Sequence, residues 1–78
     1  MAKVHFFAAA RAAVGAEVLE VSASTVQEVI DLCCGINDQM DRLMPTCGIL
    51  VDSVACHDFS ALITQDTRID VLPKFAGG

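Results

Sequence analysis

The sequence predicts an α+β domain, a mixed sheet with one main helix packed across it. Three observations lead there. Strand-like alternation opens the chain at Val4-His5-Phe6-Phe7 and returns at Ile69-Asp70-Val71-Leu72. A capped amphipathic stretch begins at Thr25-Val26-Gln27-Glu28, between them. The 78 residues contain no repeat and no linker, so residues 1–78 form a single domain. That length is near the lower limit for a self-sufficient core.

Residues 3–8 read as the first strand, with Val4 and Phe6 on one face and His5 and Phe7 on the other. Residues 9–14 are alanine-rich and read as a helical turn, broken by Gly15. Residues 17–21, Glu-Val-Leu-Glu-Val, alternate again. The short connection makes this second strand antiparallel to the first. Ser22-Ala23-Ser24 is a turn.

Thr25 and Glu28 fit a capping box, in which each side chain bonds the other's backbone N–H. The helix over 25–34 then puts Val26, Val29, Ile30 and Cys33 on one stripe. It fades near Gly35. Residues 36–44 add a weaker helical segment, closed by Pro45. Residues 47–51 are a third strand, and 54–60 a loop or short edge strand. Residues 69–72 form the last strand, with Ile69 and Val71 inward and Asp70 and Leu72 outward. This order folds as a β-grasp, the ubiquitin-like arrangement, with the first and last strands side by side at the sheet centre.

Composition excludes several function classes. Ten acidic residues against five basic ones give a net charge of −5. Lys3, Arg11, Arg42, Arg68 and Lys74 are scattered, so no basic stripe is available for nucleic acid. No run reaches the roughly 18 apolar residues of a membrane span. With no signal-peptide pattern at the start, the expected compartment is the cytoplasm and the four cysteines are expected to be reduced. Hydrophobic residues make up 54% of the chain, which is much for so small a domain to bury and points to a protein partner.

The cysteines have poor spacing for a metal. Cys33-Cys34, Cys47, Cys56 and His57 contain no Cys-x2-Cys pair, and adjacent cysteines rarely supply two ligands to a tetrahedral site. No metal or bound cofactor is therefore expected. His57-Asp58 are neighbours in an extended stretch, where side chains seldom face each other, so they do not read as a catalytic dyad.

The sequence closes on Gly77-Gly78, after Pro73-Lys74-Phe75-Ala76. Glycine packs nothing and loses the most backbone entropy on ordering. Its use here is slimness: residues 73–78 read as a projecting tail that can thread a narrow channel. An α-carboxylate on Gly78 has a pKa of about 3.3–3.7, so at neutral pH it is ionised and a poor electrophile. Another enzyme would have to activate it.

Nearly the whole chain resembles the small, sulfur-carrying subunit of molybdopterin synthase. The resemblance rests on Lys3-Val4-His5-Phe6-Phe7-Ala8 with Arg11 and Val14-Gly15 following, on the Thr25-Val26-Gln27-Glu28 helix start, and above all on Val71-Leu72-Pro73-Lys74-Phe75-Ala76-Gly77-Gly78. The chain departs from that family at Gln65-Asp66-Thr67-Arg68, often a Gly-Asp-Glu turn, and at Lys74, often a second proline. The thiamin sulfur carrier shares the fold and the tail but usually lacks the opening motif.

The resemblance implies that an ATP-dependent activating enzyme adenylates Gly78. Sulfur transfer then gives a C-terminal thiocarboxylate, with Gly77 giving the tail its access. It implies a large catalytic synthase subunit as partner, met by Phe7, Arg11, Leu72, Phe75 and Ala76. The ATP belongs to the activating partner. The same activation chemistry serves two alternatives: a sulfur carrier of the thiamin or cysteine type, and a ubiquitin-like protein modifier. An interaction domain with an inert tail is the third.

Overall fold

The computed structural model describes residues 1–74; Phe75, Ala76, Gly77 and Gly78 lie outside the described residues. Five strands form one sheet in the order β2-β1-β5-β3-β4. They are β1 (Ala2–Phe6), β2 (Val18–Val21), β3 (Cys47–Val51), β4 (Val54–Ala55) and β5 (Arg68–Pro73). β1 and β5 run parallel at the centre, and the other pairings are antiparallel. This is the expected β-grasp arrangement, first and last strands adjacent and the sheet mixed.

The main helix is α2 (Val26–Cys34), preceded by its cap at Thr25. The capping box is complete. The Glu28 N–H donates to Thr25 Oγ1 at 3.2 Å, and Glu28 Oε1 accepts from the Thr25 N–H at 3.2 Å and the Ser24 N–H at 2.6 Å. Val26, Val29 and Cys33 are buried, while Ile30 is only half-buried against the same core. The core lies between this helix and one face of the sheet. It holds Val4 and Phe6 of β1, Ile49 of β3, and Ile69 and Val71 of β5. Full burial of one such side chain contributes about 1.5–3 kcal/mol.

Several boundaries differ from the sequence reading, and three have an instructive cause. The first strand stops at Phe6, because Phe7 caps a helix, α1 (Ala8–Val14). The Phe7 C=O accepts from the Ala10 and Arg11 N–H groups, at 3.0 and 3.3 Å, and so leaves the sheet ladder. Helix α1 ends at Gly15, whose φ of 81° glycine adopts without the Cβ clash other residues meet.

The second α-helix stops just before Pro45, as expected, but the chain does not leave helical geometry there. Helix α3 (Asp38–Leu43) is capped by Asn37 Oδ1, which accepts from the Met40 N–H at 2.8 Å, and a 3-10 turn (Met44–Thr46) then runs through Pro45. Proline fits the first positions of such a turn because their N–H groups lack helical partners anyway. Past β3, Asp52 and Ser53 have φ of 48° and 72° and close a two-residue hairpin to the short edge strand β4.

The last strand begins one residue earlier and ends one later than its alternation suggested. Ile69 and Val71 point inward as expected. Asp70 pairs with His5 on one side and Leu50 on the other, yet it is buried rather than exposed. Arg68 accounts for this, donating from Nε to Asp70 Oδ1 at 2.8 Å.

Candidate functional site: the end of the central strand

The residues that would serve the tail gather where β5 leaves the sheet. Lys74 is the last described residue, and its N–H still donates to the Thr46 C=O at 3.2 Å. Pairing therefore runs one residue past Pro73, although proline has no N–H to donate. It is the final residue of β5 and lies opposite Cys47. The ladder explains why proline is tolerated here. Backbone groups of an antiparallel strand alternate between its two neighbours. The Lys74–Thr46 bond fixes the even-numbered residues towards β3, so the Pro73 nitrogen faces the β1 side. There the only carbonyl in register is that of Phe7, already engaged by Ala10 and Arg11. No bond is lost, and the strand is held one residue past the proline.

Phe7 and Leu72 come together. The Phe6–Val71 pairing, with the Phe7 N–H donating to the Val71 C=O at 3.3 Å, sets Phe7 abreast of Leu72. Both are half-buried, on the sheet face away from α2. Gly48 pairs with Leu72 from the other side. A Cβ at Gly48 would stand 3.5 Å from Lys74 Cε, so the lysine stem lies across the glycine. Arg11 sits one helical turn from Phe7 and is tied to Glu17, Nη1 to Oε1 at 3.2 Å. The remaining expected contact residues, Phe75 and Ala76, lie outside the described residues, as do Gly78, the expected site of activation, and Gly77, expected to give the tail its access.

Sequence reasoning missed Thr46 and Gly48 as part of this end of the sheet. Gly48 carried a usable signal, since a lone glycine within a strand often marks close approach by another group. Thr46 carried none, because its place depends on strand pairing.

Burial opposes ionisation of three of the thiols. Burial pushes the Cys33 thiol up to about 11, with smaller contributions from Cys34 and Cys47. Burial also raises Cys34, helped by Asp41 and Asp31. For Cys47, burial again outweighs the lowering effect of the Thr46 hydrogen bond. All four cysteines are free. Among the described residues no group of three or more His, Cys, Asp or Glu side chains is placed to hold a metal ion. No helix among them is long and apolar enough to cross a membrane.

Several solved structures share this architecture. A chain from the protein–protein complex of subunits 1 and 2 of molybdopterin-converting factor from Helicobacter pylori matches with a TM-score of 0.76. It is 17% identical, over 99% of this chain and 97% of that one. Small archaeal modifier protein 1 from Haloferax volcanii matches with a TM-score of 0.83 at 16% identity, over 99% and 98%. Its namesake from Methanosarcina acetivorans gives 0.77 at 22% identity, over 99% and 95%. The fold is ubiquitin-like. Identities this low speak for the fold alone. A scan of protein-family models and a search of curated proteins each return no match.

Proposed function

We propose that the chain is a sulfur carrier, the small subunit of a molybdopterin synthase. The observation that carries this reading is the central strand β5. It is paired with β1 as far as Val71 and held on the β3 side as far as Lys74, and in the sequence Gly77-Gly78 follows after two further residues. The likeness of the fold to a subunit of molybdopterin-converting factor supports it. So do the opening and closing motifs of the sequence.

In this reading an ATP-dependent enzyme adenylates the Gly78 carboxylate, replacing a poor leaving group with a good one. Sulfur transfer to the acyl carbon releases the nucleotide and leaves a thiocarboxylate. That group is an ionised, soft nucleophile at neutral pH. The tail then enters the large catalytic subunit and gives its sulfur to the pterin precursor. Phe7 and Leu72 meet that subunit, with Arg11, Phe75 and Ala76 around them. The protein works in the cytoplasm, with no nucleic acid or membrane as partner, and needs no metal or bound cofactor of its own.

A second reading is a ubiquitin-like modifier whose Gly78 is joined to target lysines. The high structural similarity to the small archaeal modifier proteins favours it. Intact mass after co-expression with the activating enzyme separates the two. One oxygen exchanged for one sulfur marks the carrier, and high-mass conjugates mark the modifier.

Deleting Gly78 draws the reactive carbon back by about 3.3–3.6 Å. A misplacement of 1 Å can cost about a hundredfold in rate, so turnover with the large subunit should be lost almost entirely. Gly77→Val should block insertion without changing the melting temperature. Normal turnover by the chain lacking Gly78 would sink both the carrier role and the tail as its agent.

A further inference from the structure

A second docking surface lies at the other edge of the sheet, and it does not depend on the tail. Among the described residues, strand β2 has a neighbour on one side only, β1. The Phe6 N–H donates to the Glu17 C=O at 2.8 Å, which sets the phase of this antiparallel ladder. Glu17, Leu19 and Val21 turn their backbone groups to β1. Val18 and Glu20 therefore present theirs outward. Such edges are usually blunted by lysine, proline or a bulge. Val18-Leu19-Glu20-Val21 is short and carries one charge, Glu20, but it contains neither lysine nor proline and pairs without interruption.

An apolar groove of about 330 Å³ runs beside this edge, between β2 and the C-terminal half of α2. Leu19, Val21 and Cys33 line it, and Leu32 and Ile36 stand at its side. Leu32 is 48% exposed and Ile36 38% exposed, large apolar side chains left in water beside an open strand. The rim is acidic. Glu28 and Asp31 border the adjoining hollow, and no lysine or arginine lines either depression.

We propose that this edge and groove bind an extended apolar segment of another protein, flanked by lysine or arginine, which adds to the sheet as a further strand. Backbone pairing at Val18 and Glu20 gives the register, and alternate side chains of the segment enter the groove. Its basic flanks meet Glu28 and Asp31. Charge argues against a second copy as occupant. The chain carries −5 overall, and self-pairing would bring acidic rims together. The site is two strands from β5, about 10 Å at the usual spacing.

The test uses a capped peptide of four alternating valine and isoleucine residues with two lysines at each end, titrated into the isotope-labelled protein. The expected result is shifted Val18 and Glu20 amide signals, with their hydrogen exchange slowed. Leu32→Glu should weaken binding at least about tenfold, the range of a truncated anchor residue. Val18→Pro removes an outward N–H without touching the β1 ladder and should weaken it likewise. A peptide methylated on alternate backbone nitrogens asks the same question of the unaltered protein, and it should fail to bind. Equal binding of a glutamate-flanked peptide would overturn the proposal. So would the absence of shifts at millimolar peptide, or Val18 and Glu20 protection that grows with protein concentration alone and so reports a second copy.

Discussion

Asp70 stands on the sheet face away from the helix, and yet it is only 6% exposed. Its partner Arg68 has a half-exposed side chain and can return to water, whereas the carboxylate cannot. The two should therefore respond unequally to substitution. Asp70→Asn keeps an acceptor for Arg68 Nε and should cost no more than about 1 kcal/mol. Arg68→Ala leaves a buried carboxylate without its charged donor and should cost about 1–3 kcal/mol. Urea unfolding of both variants checks the order, and the reverse order would remove Arg68 as the group that holds Asp70 inside. Cys33 sets a second expectation. Its thiol titrates near 9.0 when unperturbed and at about 11 in the fold. Above pH 9 the unfolded chain loses this proton while the folded chain keeps it. The stability tied to Cys33 is thus complete below that pH and is lost as pH rises towards 11. Unfolding measured from pH 7 to 10.5 should fall more steeply for the wild type than for Cys33→Ala. Parallel curves would mean that the thiol is not buried as described.

At the scale of the element, α2 has the strongest local determinants. Thr25 and Glu28 satisfy each other's backbone donors, and the helix then lays Val26, Val29 and Cys33 on the sheet. Thr25→Ala removes the acceptor for the Glu28 N–H and should destabilise the domain by about 1 kcal/mol. Thermal melting checks this, and an unchanged midpoint would show that packing alone holds the helix start. The 3-10 turn after α3 teaches the opposite lesson. Pro45 read as a stop, but a short turn accepts proline at its start and carries the chain into β3. Proline constrains the residue it occupies and the one before it, and it leaves the conformation of later residues free.

The whole molecule is a platform that fixes one strand end. β5 is flanked by β1 and β3, both of which bond it, so the point from which residues 75–78 depart is rigidly defined. Phe7 and Leu72 lie abreast at that point. If the proposed carrier role holds, Phe7→Ala should weaken binding to the large synthase subunit at least about tenfold, as expected for an aromatic near an interface centre. Calorimetric titration measures it, with circular dichroism to confirm the fold. Unchanged affinity would move the partner surface elsewhere. The β2 edge is separate from this surface, so Phe7→Ala should leave peptide binding there unaltered.

The amino-acid sequence determined by itself those features that depend on neighbours along the chain. The inward set Val4, Phe6, Ile69 and Val71 follows from a period of two. The start of α2 follows from a capping box with its partners three residues apart, and the stop of α1 from Gly15. Even the adjacency of the first and last strands could be read, because few ways exist to join this order of elements into one sheet. Only the tertiary structure decided where bonds run between strands. It was the competing demand of Ala10 and Arg11 on one carbonyl that ended β1 at Phe6 and made Pro73 harmless. It was Arg68, two residues along β5, that drew the Asp70 carboxylate inside. The open backbone groups of Val18 and Glu20 are likewise a matter of ladder phase. Alternation tells which face a side chain takes, but the direction of an N–H is settled by the strand that arrives beside it.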